Sequence, residues 1–96
     1  MLFVITAMDK SDSRELRMKT RAAHFDYAHK MGGVRLGGPF LNSNGEMIGS
    51  LIIIEAQDLD AARRWQAGDP YAQAGLFSEV DVRPWKATAN FCKAEL

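Results

Sequence analysis

Apolar residues form four blocks along the chain, and two of these blocks do not alternate with polar residues. One is Leu2 to Met8, and the other is Ile48 to Glu55, which has four consecutive aliphatic residues at its centre. A strand that is apolar on both faces is typical of the buried middle of a sheet. We therefore predict that these two segments are central strands.

The other two blocks each contain a proline, which removes a donor from a hydrogen-bond ladder and is tolerated mainly at sheet edges. Val34 to Leu41 contains Gly37-Gly38-Pro39, and Phe77 to Trp85 contains Pro84. The turn signal from Asn42 to Gly45 indicates that the second strand returns antiparallel into the third. These patterns place the second and fourth strands at the edges.

A first helix is predicted from about Ser13 to Met31. Asp12 and Glu15 have the spacing of a capping box, and Gly32-Gly33 follows the segment. Residues three or four apart form its expected core stripe. They are Leu16, Thr20, Ala23, Tyr27 and Met31.

A second, shorter helix is predicted from Leu59 to Ala67, with Asp58 as its cap. Gly68 suits the left-handed position that closes a helix, and Pro70 disfavours helical geometry at the residue before it. A short helical segment from Pro70 to Ala74 is expected next. Asp69 is therefore held at a corner, where it can cap this segment, serve as a functional carboxylate, or do both.

The resulting order is β-α-β-β-α-β, which predicts an α+β, ferredoxin-like domain covering residues 1–96. Its antiparallel four-stranded sheet has the spatial order 4-1-3-2, with both helices on one face. The central strands leave the other face apolar and bare. We therefore expect a homodimer in which two sheets stack or close a joint barrel.

The charge balance and the cysteine content limit which partner molecules and metals the chain is expected to bind. The 12 basic and 12 acidic residues cancel, so nothing favours nucleic acid or an anionic membrane. The apolar start is too short for a signal peptide and no run could span a membrane, so a cytoplasmic location is expected. Cys92 is alone, and His24 and His29 are poorly spaced for a shared metal. No metal and no organic cofactor are expected.

Helix lengths suggest where chemistry lies. The two helices are expected to run side by side in the same direction. The second then spans roughly 14 Å, while His24 lies about 16 Å along the first. This brings Asp69 beside His24, and an imidazole held by a carboxylate can present its other nitrogen as a base. Arg17 and Arg21 precede His24 on its side of the helix and are candidates to hold an anionic group. The alternatives are a partly buried histidine that only hydrogen-bonds to a neighbouring polar group, and an arginine stripe that only faces solvent.

Several short motifs, taken in order, resemble the YCII-related proteins. They are the Met-Leu-Phe-Val-Ile start, Arg17, Arg21 and His24 at their spacing, Gly38-Pro39, Gly49-Ser50, and Asp69-Pro70-Tyr71 followed by Gly75. The resemblance covers nearly the whole chain. It implies a dimeric α+β barrel of ferredoxin-like subunits, the fold that muconolactone isomerases also use.

The resemblance also implies a histidine and aspartate pair in the cleft, and these catalytic roles fall on His24 and Asp69. The arginines of the family's first helix match Arg17 and Arg21, and the serine of its third strand matches Ser50. We expect these three residues and Tyr71 of the aspartate motif to bind the substrate. Lyase-like chemistry on small ring compounds is the activity ascribed within the family. We expect a cofactor-independent lyase or isomerase that acts on a small anionic or hydroxylated ring compound.

Two other functions fit the same residues. One is a regulatory or metabolite-binding dimer that uses the cleft without converting its ligand. The other is a haem-binding member of the same barrel superfold, with His24 as axial ligand.

Overall fold

The computed structural model describes residues 1–96 as one antiparallel sheet with three helices. The strands are β1 (Leu2–Asp9), β2 (Val34–Leu41), β3 (Met47–Glu55) and β4 (Phe77–Trp85). The helices are α1 (Arg14–Met31), α2 (Leu59–Gly68) and α3 (Pro70–Gln73).

The strands lie in the order β2-β3-β1-β4, so the predicted order 4-1-3-2 and the ferredoxin-like α+β fold are confirmed. Both strands that contain a proline are at edges. The two strands without alternation, β1 and β3, pair at the centre. No helix has the length and apolar content needed to cross a bilayer.

The core lies between the helices and one face of the sheet. On this face Phe3 pairs with Ile54, and Ile5 pairs with Ile52. Ala62 and Trp65 from α2 pack onto these four residues and complete the buried cluster. The next pair in the same row is Ala7 with Ser50. The apolar core therefore gives way to a small residue and a polar one at this end of the sheet.

The predicted core stripe of α1 is only partly correct. Its buried residues are Arg17 and His24, whereas Ala23 is exposed and Met31 is 56% exposed. Tyr27 does pack against the core. The reason is that α1 crosses the polar end of the sheet, where long polar side chains find partners inside the protein.

Two predicted helix ends are also wrong in detail. Ser13, and not the predicted Asp12, is the residue before α1, and its side chain makes no capping hydrogen bond. Asp12 adopts φ 56° in the preceding turn, so it does not have the extended conformation of a cap. Gly68 is the last residue of α2 and does not have a positive φ. Its role is steric, since a β-carbon there would lie 2.6 Å from the Tyr27 hydroxyl oxygen.

The helices cover one face of the sheet and leave the other open. On the open face Val4 pairs with Ile53, Thr6 pairs with Leu51, and Leu36 of β2 lies next to Ile53. Leu36 is 51% exposed. On this face the residues of β1, β2 and β3 are largely apolar, whereas β4 contributes the charged residues Glu79, Asp81 and Arg83.

Candidate active site

A cavity of about 310 Å³ lies between α1 and the sheet on the side of β2 and β3. Its wall from α1 includes Arg17, Arg21, His24 and Phe25, and Ser50 and Tyr71 also line it. Gly37 pairs with the core-facing Ile52, so it lies on the helix side of the edge strand. Because this residue has no side chain, the edge of the sheet leaves room for a ligand.

His24 and Asp69 contact each other on this wall. The Nδ1 atom of His24 lies 2.8 Å from Oδ1 of Asp69, and their side chains are only 11% and 3% exposed. The same carboxylate oxygen accepts a hydrogen bond of 3.0 Å from the backbone amide of Tyr71. Asp69 therefore caps α3 and contacts the imidazole of His24 with the same oxygen.

This contact defines how the imidazole is presented. A carboxylate accepts hydrogen bonds, so in neutral His24 the proton belongs on Nδ1 and the lone pair on Nε2. Nε2 makes no hydrogen bond within the chain. It is not buried from solvent either, because Trp65 Nε1 is the only side-chain nitrogen or oxygen that is both fully buried and without a hydrogen bond. Nε2 is therefore open to the cavity that His24 lines.

The predicted direction of the helices is wrong, although His24 and Asp69 do lie in contact. β1 and β3 are antiparallel, and the helices that follow them run in opposite directions. Two contacts show this opposite direction. His24 contacts Asp69, just after the end of α2. Tyr27 lies further along α1, yet it donates a hydrogen bond of 2.8 Å to the carbonyl oxygen of Trp65, which lies earlier in α2.

The two residues still meet because α2 returns only part of the way along α1. With 18 residues in α1 and 10 in α2, the helices are about 27 Å and about 15 Å long. A helix that starts level with the end of α1 and returns by this length ends about 12 Å from the start of α1. His24 lies about 15 Å along α1, which is within one turn of that level.

Arg17 and Ser50 line the cavity but are largely occupied by other residues. Arg17 Nε and Nη2 donate to the two oxygens of Asp9 at 2.7 and 3.1 Å, and Nη2 also donates to Ser50 Oγ at 2.7 Å. Arg17 Nη1 makes no hydrogen bond within the chain and is not fully buried from solvent. Among the polar side-chain atoms of Arg17 and Ser50, only Arg17 Nη1 makes no hydrogen bond within the chain.

Asp9 is the partner of Arg17, and its contact with this site was not predicted from the sequence. It ends β1 and its side chain is 6% exposed. The available signal was a carboxylate immediately after a buried strand, eight residues before an arginine on the inner face of the next helix. A buried guanidinium requires such a partner.

Arg21 differs from Arg17 because it is exposed and forms no salt bridge. Its guanidinium carbon lies 5.0 Å from the centre of the Phe25 ring, and both residues line the cavity. It is therefore the free cation of the cavity wall.

Tyr71 is 2% exposed and packs against the two buried residues of α1, Arg17 and His24. Its ring stacks on His24 at 4.2 Å with 17° between the planes, and the guanidinium carbon of Arg17 lies 4.7 Å from its centre. Burial raises the pKa of Tyr71, while the positive charges of Arg17 and Arg21 act in the opposite direction. The phenol therefore keeps its proton at neutral pH.

Other residues with potential chemistry lie outside this cavity. His29 is exposed on α1, and Cys92 is exposed near the carboxyl terminus. No group of three or more His, Cys, Asp or Glu side chains is arranged to hold a metal ion.

Comparisons with known structures agree with the fold and with a small-molecule cavity. The dehydrochlorinase TftG from Burkholderia phenoliruptrix, which acts on 5-chloro-2-hydroxyhydroquinone, was solved in complex with 2,5-dihydroxybenzoquinone. It is 34% identical, with a TM-score of 0.83 over 90% of this chain and 94% of its own. The cofactor-independent oxygenase SnoaB from Streptomyces nogalater is 14% identical, with a TM-score of 0.61 over 93% and 96% of the two chains. At that identity it shows the shared fold alone.

Sequence comparisons identify the family. Protein YciI from Escherichia coli is 39% identical over 95 residues, covering 90% of this chain and 97% of its own. An uncharacterized protein from Haemophilus influenzae is 30% identical over the same shares of the two chains. The sequence profile of the YCII-related domain matches residues 1–86. The chain therefore belongs to the family of YCII-related domain proteins.

Proposed function

We propose that this protein is an enzyme of the lyase or isomerase type that transfers a proton on a small hydroxylated ring compound. The observation that carries the proposal is the contact of His24 Nδ1 with Asp69 at 2.8 Å, which leaves Nε2 facing the cavity. In this arrangement His24 is the general base, and Asp69 fixes its tautomer and stabilises the imidazolium that forms.

The expected rate effect limits the reaction to an activated substrate. A positioned general base contributes about 10²- to 10⁴-fold to a rate. Such a contribution suits an acidic ring hydroxyl or a C–H bond next to a carbonyl, and it is too small for an unactivated bond.

The charges at the cavity favour a ligand rich in acceptor oxygens. Arg21 and Arg17 Nη1 are free to donate, whereas the carboxylates of Asp9 and Asp69 are already bound. Removal of a proton from the substrate also creates negative charge beside these donors. An anionic or readily ionised ring compound matches both features.

The size of the cavity favours a single ring. Its volume of about 310 Å³ is at the lower end of the roughly 300–1,000 Å³ of small-molecule sites. The hydroxylated six-membered ring bound by the dehydrochlorinase relative belongs to the same class. Hydroxyquinones and hydroxylated or halogenated hydroquinones are therefore the first compounds to test.

We also propose that two copies of the chain pair through the open faces of their sheets. Apolar residues from three strands lie together on this face, and Leu36 is half exposed there. A contiguous apolar surface of this kind is uncommon on a protein that remains alone in water.

The test of the proposed function is a turnover assay with three proteins. Hydroxylated and halogenated ring compounds are incubated with the wild type, His24→Ala and His29→Ala, and the products are separated by chromatography. His29 lies on the same helix but is exposed, so its variant should convert substrate as the wild type does. His24→Ala should lose at least about 100-fold. Recovery of unchanged ligand with the wild type would favour the binding-only alternative.

A further inference from the structure

The hydroxyl of Tyr71 is a free hydrogen-bond donor on a residue that is otherwise enclosed. The residue is 2% exposed. Its Oη makes no hydrogen bond within the chain, and this atom is not fully buried from solvent. Tyr71 lines the cavity. Its open polar atom is therefore available to a ligand there.

The position of this hydroxyl is fixed relative to the base. The backbone amide of Tyr71 and the Nδ1 atom of His24 bind the same oxygen of Asp69, at 3.0 and 2.8 Å. The two rings also stack at 4.2 Å with nearly parallel planes. A ligand that reaches His24 Nε2 therefore meets a phenol that cannot swing away.

The surroundings of the phenol favour negative charge on a bound oxygen. Arg17 lies over its ring at 4.7 Å, and exposed Arg21 stands one turn further along α1. No carboxylate is free at the cavity, because Asp9 is bound to Arg17 and Asp69 to His24. A preorganised donor among positive charges is the arrangement that stabilises an oxyanion.

We propose that the Tyr71 hydroxyl donates a hydrogen bond to the substrate oxygen that becomes negative as His24 removes a proton, so that the site takes enolisable ring ketones. The inference rests on the proposed function and assigns Tyr71 as a second catalytic residue. Burial raises the pKa of Tyr71, which keeps the donor proton in place during this step.

The reaction then balances without an added oxidant or reductant. The C–H electron pair forms a carbon–carbon double bond, the carbonyl π pair moves to oxygen, and the proton goes to His24 Nε2. In a lyase the carbonyl re-forms and a leaving group on the neighbouring carbon departs with its bonding pair. In an isomerase the substrate carries a second double bond conjugated with the enolate, and the carbonyl re-forms as the double bonds shift and His24 gives the proton to the far end of that second double bond.

Calorimetric titration with two probes tests this role. One probe is 2,5-dihydroxybenzoquinone, which is an anion at neutral pH, and the other is resorcinol, a neutral single ring. Tyr71→Phe keeps the ring that stacks on His24 and removes only the hydroxyl. Loss of a hydrogen bond to a charged group should weaken binding of the anion by about 10- to 100-fold. Binding of resorcinol should weaken by a smaller factor than binding of the anion, because a hydrogen bond to a neutral hydroxyl contributes less than one to a charged oxygen.

Tyr27→Phe is the matched control, because the Tyr27 hydroxyl donates to a backbone carbonyl and lies outside the cavity. It should leave the ratio of the two affinities unchanged. Equal binding of the anion by wild type and Tyr71→Phe would overturn the inference and leave the proposed role of His24 intact. Failure of the wild type to bind either probe would overturn both proposals.

Discussion

Gly68 lies so close to Tyr27 that a β-carbon at position 68 would be 2.6 Å from the tyrosine hydroxyl oxygen. That hydroxyl donates to the carbonyl oxygen of Trp65 at 2.8 Å. The end of α2 is thus held against α1, one turn beyond the contact of His24 with Asp69. This close approach fixes the level at which the corner carboxylate leaves α2.

Gly68→Ala should therefore be destabilising even though alanine favours helices. The new methyl group must displace the Tyr27 ring, and such overpacking costs about 1–3 kcal/mol of unfolding free energy. Urea denaturation measures the change. Gly38→Ala is the control, because a β-carbon there meets nothing within 4 Å. Equal stability of the two variants would show that the Tyr27 contact is not tight.

The ion pair of Asp9 and Arg17 should be far more sensitive to mutation than a surface pair. Both side chains are nearly inaccessible, at 6% and 4%, so Asp9→Ala leaves a buried guanidinium without its carboxylate. The expected loss is about 3–5 kcal/mol in unfolding free energy.

The exposed pair of Arg14 and Glu46, at 2.8 Å, is the comparison. Arg14→Ala should cost about 0–1 kcal/mol, because water screens and replaces this interaction. Similar losses for the two variants would contradict the buried character of the Asp9 pair.

The stability of the fold should decline at high pH through Tyr71 and Tyr27. Burial raises the pKa of both groups above the unfolded value of 10.0. The folded state then holds these protons more tightly than the unfolded state. The contribution is fully present below about pH 10 and is lost as the pH rises through the folded pKa values.

Urea unfolding at intervals from about pH 8 to about pH 11.5 measures this effect. The unfolding free energy of Tyr71→Phe should decline less steeply with pH than that of the wild type, because only the ionisation of Tyr27 then remains linked to unfolding. An unchanged slope would mean that Tyr71 is as accessible to solvent when folded as when unfolded.

Pairing through the open sheet face should be visible in the mass of the particle. Light scattering of the wild type should give twice the 10.7 kDa of the chain. Leu36→Glu places a charge on the open face and should yield single chains, because an unpaired charge is costly inside an interface.

Met31→Glu is the control for that variant, since Met31 is 56% exposed on α1, away from the open face. It should leave the mass unchanged. A wild-type particle with the mass of one chain would refute the pairing.

The sheet could be predicted because its signals are local. The apolar runs of β1 and β3 and the prolines of β2 and β4 specify central and edge positions without reference to distant residues. The Asn42 to Gly45 turn specifies one antiparallel connection. With these elements in place, few topologies remain.

The inner face of α1 could not be predicted from amphipathicity. Its buried residues are Arg17 and His24, whose partners Asp9 and Asp69 lie on other elements. A polar residue is assigned to the surface unless those partners are known. The same limit explains why Arg17 was expected to hold a ligand, when two of its nitrogens are bound within the chain.

The most direct test of the central claim is nitrogen NMR of the imidazole of His24. The chain has only 2 histidines, and His29→Ala leaves a single signal set to assign. In the neutral form of the ring we expect the proton on Nδ1 and an unprotonated Nε2. Asp69→Asn should disturb this tautomer, whereas Asp58→Asn, at the cap of α2, should not. A neutral His24 that carries its proton on Nε2 in the wild type would contradict the account.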